Sequence, residues 1–461
     1  PFADLSEDQD QQYFTDGLSE ELLNVLVRID ELQVASRTSS FSFRDSSVPI
    51  PEIAKELQVA HILEGSVRRD GIRIRITAQL IETSTDRHLW SENFDREFHD
   101  IFAVQDEIAT AIVKALSEEL GLSSIPSVSV EAVTANLDAY QLYLEARELF
   151  VRRTRLDDSI RMFHEAIKLD PGFARAWEGL AAVEAIANDW QEAQRNMSID
   201  HLPLAEEAAN KALEIDSSLS LPHAVLGQVA ARLHRDPRRA LSSLAEAIER
   251  DPKNVSAWLW QGMILKYAGY LEDAIEAFRR CLDIDPARII CSDYLAETLL
   301  YDGQTELAIE LHNRSIEQGF SATAPSFVSH HVRNGNRGLA LMIARNKMGA
   351  GDAPVVEWIR AIETPNSDHT AGLARLNDWV REREFRMGLP PQMLFTFGAH
   401  DQMLEIGEMQ RRMLFHPDAA EFRRTPQFRE VVRRWGFDKL WRQRGFPPQC
   451  HPVGSDDFEC D

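Results

Sequence analysis

Apolar residues recur at spacings of three and four in Leu22, Leu23, Leu26 and Ile29, just after Ser19, a residue suited to capping a helix N-terminus. Leu32 to Ser36 then reads as a short strand. Pro51 sits in the first turn of a helix running through Leu57, where a residue without an N–H is tolerated. Val59 to Arg69 and Ile72 to Glu82 form strands that flank Asp70-Gly71, a two-residue hairpin turn. In the second strand Ile72, Ile74, Ile76, Ala78 and Leu80 alternate with Arg73, Arg75, Thr77 and Gln79, which predicts one buried and one polar face. His88 to Phe94 adds a third strand, and Ile101 to Leu120 a closing amphipathic helix. Pro1-Phe2 opens the chain as the tail of a strand, so a segment upstream is expected.

Beyond Asp138 the pattern is helical. Asp170-Pro171, Asp251-Pro252 and Asp285-Pro286 each end an amphipathic helix rich in Ala and Leu, and the last two prolines stand 34 residues apart. Trp258, Gly262, Ala274, Phe278 and Cys281 fill the best unit, where small residues let paired helices approach and aromatics fill the layer between them. The frame repeats in Tyr143, Phe163, Ala166 and Pro171, and again in Trp177, Leu180, Ala205 and Ala212, with an insertion around Asn188 to His201. It continues in Leu226, Gly227, Ala240, Ala247 and Pro252, then in Leu295, Ala296 and Ala308. These five units resemble tetratricopeptide (TPR) repeats, which implies a stacked solenoid that offers a surface and not a reaction centre. Past Gly319-Phe320 the period fades while helical patterns continue at Gly338 to Met348, Ala353 to Ile362, Thr370 to Met387 and Met403 to Phe415. Degenerate repeats or a helical cap are expected there.

The amino-terminal stretch carries Pro1-Phe2-Ala3-Asp4-Leu5-Ser6, Tyr13-Phe14-Thr15-Asp16-Gly17-Leu18-Ser19-Glu20-Glu21-Leu22 and Arg37-Thr38-Ser39-Ser40-Phe41. Leu63 to Arg69, Leu89-Trp90-Ser91-Glu92 and Ile101 to Ile108 continue the same series. Together they resemble the TolB-amino-terminal-like domain of bacteria. The resemblance implies a module set between a TPR array and an output domain with a membrane helix, either a winged helix or an adenylate cyclase. Neither output domain is present in this sequence. The expected organisation is an α/β domain (mixed sheet with helices) over 1–122, a linker over 123–137 and an all-α TPR solenoid over 138–319. A helical cap over 320–446 and a cysteine-containing tail over 447–461 complete it.

Charge narrows the partners. With 74 acidic and 50 basic residues the formal net charge is −24, a field that repels polyphosphate, so no nucleic-acid partner is expected. From Arg411 to Pro447, however, ten basic and four acidic residues are interleaved with Phe422, Phe428, Trp435, Phe437, Trp441 and Phe446. The preferred reading is a cap whose aromatics pack and whose arginines pair with the acidic array, over a nucleic-acid patch. Cys450 and Cys460, ten residues apart around Pro and Gly, could close a disulfide loop. A metal site from Cys450, His451 and Cys460 is the rarer alternative and lacks a fourth ligand. Cys281 and Cys291 are expected to be small buried residues.

Candidate chemistry is sparse. Asp16-Gly17 with Arg37, Thr38, Ser39 and Ser40 lacks phosphate-loop spacing and reads as caps and turns. His330-His331 and His400-Asp401 read as surface or capping groups, and Gly349-Ala350-Gly351-Asp352 as a helix stop. No catalytic residue, cofactor or metal is assigned. By helical phase Gln228, Arg232, Met263, Lys266, Tyr267, Glu297 and Tyr301 face the concave wall of the array. There Arg232 and Lys266 would clamp a carboxylate of a protein or peptide. The alternative is that later helices cover this wall. The reading is a non-catalytic scaffold or sensor region in the bacterial envelope, periplasmic or alternatively cytoplasmic. Anchoring through the upstream segment and homo-oligomers are compatible with it. Its rivals are a small-ligand sensor coupled to a missing output domain and an enzyme with an unrecognised site.

Overall fold

Ala3–Asp4 (β1), His61–Asp70 (β2), Arg73–Glu82 (β3) and Arg87–Glu97 (β4) form one sheet in the order β1-β2-β3-β4. The first pair is parallel and the others antiparallel. Alternation along β3 works as the sequence predicts: Ile74, Ile76, Ala78 and Leu80 are buried, while Arg73 and Arg75 are exposed. Ile72, expected on the buried face, lies in the hairpin turn beyond the Asp70↔Arg73 pair and is 69% exposed. Leu80 pairs with Trp90 and Ile81 with His88, so Leu89 is the extra residue of a β-bulge. The computed structural model describes residues 1–7, 11–26, 32, 34–44, 46–97, 101–120, 134–152, 154–187, 200–317, 324–348, 352–382, 391–406 and 409–461.

Gln12–Leu26 (α1) and Ile101–Leu120 (α4) cover the apolar face through Phe14, Leu18, Leu22, Ile108 and Ile112. Between them lie the short helices Arg37–Phe41 (α2) and Ile50–Leu57 (α3), the latter with Pro51 in its first turn. Helix α1 begins earlier than its apolar spacing indicates. Ser19 is therefore not a cap. Its hydroxyl sits mid-helix, donating to the Thr15 carbonyl and accepting from Phe2 N–H, which ties the start of the chain to α1. The strand expected over Leu32 to Ser36 does not form: residues 32 and 34–36 have no regular structure, and Ser36 instead caps α2 by accepting from Ser39 N–H. Ile29 lies outside the described residues, as do most of the 123–137 linker, the insertion from Asn188 onward, Gly319-Phe320 and Gly349 to Gly351.

The helix pairs follow: Leu137–Arg152 (α5) with Leu156–Leu169 (α6), and Ala174–Ala187 (α7) with His201–Ile215 (α8). Leu221–Arg232 (α9) precedes Pro237–Arg250 (α10), Val255–Tyr267 (α11) precedes Leu271–Ile284 (α12), and Ile289–Tyr301 (α13) precedes Thr305–Glu317 (α14). The same device closes two of the turns: Trp177 Nε1–H donates to the Pro171 carbonyl at 3.1 Å and Trp258 Nε1–H to the Pro252 carbonyl at 2.9 Å. Asn254 caps α11 by accepting from Ala257 N–H. Gly262 is small because an added Cβ would lie 2.6 Å from Phe278, the ring that fills the α11–α12 layer.

The remainder is short helices: Val328–Arg333 (α15), Arg337–Met348 (α16), Asp352–Glu363 (α17), Thr370–Glu382 (α18) and Pro391–Thr396 (α19). Met409–Arg412 (α20), Ala420–Arg423 (α21), Pro426–Arg434 (α22) and Phe437–Arg444 (α23) lead to the hairpin Cys450–Val453 (β5) and Asp457–Cys460 (β6). By proximity the chain divides into two units, residues 1–225 with 284–287 and residues 226–283 with 288–461. Each has its own core.

Candidate functional site

Helices α11 and α13 place Met263, Lys266, Tyr267, Glu297 and Tyr301 on one wall, as helical phase requires, but the wall is not open. Lys266 is 2% exposed and Glu297 5%. The carboxylate that Lys266 was expected to take from a partner is supplied by Glu297 on the neighbouring helix, as a buried ion pair. Tyr301 OH donates to Glu297 Oε1 at 2.9 Å, and the Ser326 hydroxyl reaches the same oxygen. The ammonium also stands 4.5 Å from the Tyr301 ring centre and 3.4 Å from the Arg412 carbonyl. Burial pushes the Tyr301 and Tyr294 hydroxyls well above their ordinary range.

The cover comes from the chain itself. The Phe415 ring fills the space over Gly269, whose φ of +88° also favours glycine. His416 meets the Tyr301 ring edge-on at 5.2 Å, Trp441 Nε1–H donates to the Ala268 carbonyl at 2.8 Å, and Arg411 stacks over Tyr267 and Trp435. Gln228 and Arg232 are also buried and Met263 is half-buried. Of the predicted groove, Gln228, Arg232, Lys266, Tyr267, Glu297 and Tyr301 are thus buried and Met263 is half-buried, with the downstream cover lying over Lys266, Tyr267 and Tyr301. The reason is physical: aromatic side chains far downstream bury more apolar area on this wall than water can compensate.

The basic aromatic stretch follows from the same packing. Phe422, Phe428, Trp435, Phe437 and Trp441 are buried, and Arg433 and Arg444 pair with Asp457 and Asp273. In the tail, Cys450 and Cys460 are cross-strand partners joined by a disulfide, with Phe458 packed edge-on to Trp441. Cys281 and Cys291 are buried, but they too are joined by a disulfide, which ties α12 to α13. Helical spacing gave no sign of that bond, because the two residues lie on different helices.

The first unit holds the Asp16 and Arg37 to Ser40 stretch. Arg44 pairs with Asp16, and Glu20 takes both Arg37 and Arg147 of α5. The Ser36 and Ser39 hydroxyls donate to Asp285 at 2.8 and 3.4 Å. Gly17 lies so close to Leu144 that a Cβ would meet it at 2.6 Å. These residues act as caps and as fasteners to the repeat helices. Burial raises the Asp16 carboxyl above its ordinary value despite Arg44. Beside them Leu22, Leu26, Ile53, Leu57, Leu63 and Ile112, together with Ser19, Ser40, His61 and Glu64, line a cavity of about 730 Å³. A second cavity, of about 510 Å³, is bordered by Tyr301, Ser326, Arg333, His416, Asp418 and Gln449.

Histidine was misjudged at one position. His331, expected at the surface or as a capping group, is 2% exposed beside His312, which is fully buried and stacked on Phe327 at 3.8 Å. Burial lowers His312 to about 3 and His331 to about 4. Neither has a hydrogen-bond partner among the described residues. His416 Nδ1 accepts from Asp418 N–H, so Nε2 carries the proton and donates to the Ser326 carbonyl at 3.1 Å. His330 and His400 are half-buried.

Comparison with known proteins bears on the repeats. The tetratricopeptide repeat model matches residues 134–193 and 226–289. Over 239 residues, 51% of its length, the chain is 35% identical to a protein of Rhizobium meliloti (strain 1021) provisionally named adenylate cyclase 3. Over 88 residues, 18% of its length, it is 35% identical to SPINDLY of Hordeum vulgare, provisionally named a UDP-N-acetylglucosamine–peptide N-acetylglucosaminyltransferase. The chain spans 40% of the first relative and 9% of the second. Among solved structures it is similar to YrrB, a TPR protein with an unusual peptide-binding site, at 22% identity, covering 45% of this chain and 92% of that one with a TM-score of 0.26. PilF of Pseudomonas aeruginosa is similar at 18% identity, covering 51% and 97% with a TM-score of 0.33. Both are partial likenesses. Over residues 134–193 and 226–289 the chain carries tetratricopeptide repeats.

Proposed function

We propose that this chain is the non-catalytic, protein-binding region of a larger bacterial envelope regulator, with its α/β domain of the TolB-amino-terminal-like kind. The observation that carries the reading is the run of helix pairs matched by the tetratricopeptide model. Such pairs cannot bury their apolar faces singly, and stacking them yields surface without chemical apparatus. Two disulfides, which leave none of the four cysteines free, support a periplasmic setting, because such bonds persist in oxidising compartments. The cyclase name belongs to a relative of which this chain matches 40%, so that activity is assigned to none of its residues. The test is affinity purification of the full protein from its native membranes under mild crosslinking. One protein partner recovered in fixed stoichiometry is expected. Recovery of the protein alone, with turnover on a nucleotide by this region, would overturn the proposal.

The cavity favours a second reading, a sensor of a small amphipathic ligand, since its volume suits drug-sized molecules and its lining mixes apolar and polar groups. Saturable quenching of an environment-sensitive fatty-acid probe, abolished by Leu63→Trp, would distinguish it from the scaffold.

A further inference from the structure

The 3-10 turn Ala324–Phe327 and helix α15 form a seam that links a buried histidine pair, His312 and His331, to the buried His416. On one side, Phe327 stacks on His312 of α14, and His331 lies 5.6 Å from His312. On the other, the neighbouring residue Ser326 holds Glu297 through its hydroxyl and His416 through its carbonyl. Glu297 in turn holds Lys266, and His416 belongs to the segment that covers the α11–α13 wall. One turn thus connects an imidazole pair to the cover of the wall.

We propose that acid opens this seam: protonation of His312 and His331 expels residues 324–333, unhooks Ser326 from Glu297 and His416, and uncovers Lys266, Tyr267 and Tyr301. The groups acting on the imidazoles make this one-directional. His312 faces His331 and His330, His331 faces His330, and His330 faces Arg333, so every neighbour is a cation or becomes one. A charged imidazole would therefore be buried next to like charge, and Asp418, the carboxylate held against α15, is taken up by Arg333 and Ser329. His416 adds a third imidazole that burial keeps neutral. Asp418 and Glu297 favour its charged form and Lys266 opposes it, and burial outweighs the carboxylates. The inference rests on the scaffold reading for what the uncovered wall would do, but not for the opening itself.

In the open state each imidazole returns to its ordinary value of 6.5, so at pH 5 each favours opening by about 30-fold. The measurement is hydrogen–deuterium exchange of the whole chain at pH 7 and pH 5, with rates divided by the intrinsic rate at each pH. Protection over 328–333 and 409–416 is expected to fall by roughly 10²–10³-fold at pH 5 while β3 keeps its protection. Unchanged protection over 409–416, or equal loss in β3, overturns the proposal. In the double variant His312→Phe, His331→Leu the acid response should vanish; an undiminished response would also overturn it. The wild-type profile decides whether or not that variant folds. A chain that opens in acid yet binds no protein on the uncovered wall would sink the scaffold reading and leave this one standing.

Discussion

Lys266 and Glu297 show how a surface residue type becomes a core residue. Taking both charges out of water is expensive, and their attraction offsets that cost only because Tyr301 and Ser326 hydrogen-bond the carboxylate as well. Lys266→Met should therefore destabilise the second unit by about 3–5 kcal/mol, because Glu297 is left buried and unpaired. Lys266→Met combined with Glu297→Leu should recover most of that loss. Urea denaturation of the two variants checks this, and equal losses would mean the pair is not coupled. Packing sets the limit at Gly262, where Gly262→Ala pushes a methyl against Phe278 and should cost about 1–3 kcal/mol by the same measurement.

At the level of elements, the carboxy-terminal hairpin depends on its disulfide. Cys450 and Cys460 close a ten-residue loop and hold Phe458 against Trp441. Cys450→Ser with Cys460→Ser should cost about 2–3 kcal/mol, seen as a lower denaturation midpoint, whereas the same change in a fully reduced protein should cost nothing. The sheet and the repeats were legible in the sequence because their causes are local. Period two along β3 and the Asp-Pro turns with Trp177 and Trp258 each lie within one or two elements. Helix α1 was placed too late because Ser19 was read as its cap, although Phe14, Leu18 and Leu22, spaced by four and all buried, continue its apolar face toward Gln12. Helical phase correctly turned Lys266 and Tyr301 to one wall, but phase gives direction and not occupancy. The cover arrives from Phe415, His416 and Trp441, far downstream and without a period to announce them. His331 was misplaced for the same reason, since its burial depends on His312 and Phe327 from other elements.

For the whole molecule, acid should act unequally on the two units. In the second, His312 and His331 are held far below their ordinary value, so the unfolded chain binds more protons as pH falls below 6.5 and stability is lost from there down to about 3 to 4. Asp368, Asp418 and Asp457 are also held low and act in the same direction at lower pH. In the first unit Asp16 and Glu184 are raised by burial, so the folded state binds the extra proton and gains stability in acid. They work against Asp95, Asp158 and Asp216, which are held low. Between pH 7 and pH 5 the histidines alone should remove about 2–4 kcal/mol from the second unit, with no comparable loss in the first. Calorimetry across this range should show a lower-temperature transition that moves down with acid while another stays nearly fixed. Hydrogen exchange would assign the moving transition to residues 288–461. A shared shift of both transitions would mean that net charge, and not the buried imidazoles, governs acid stability.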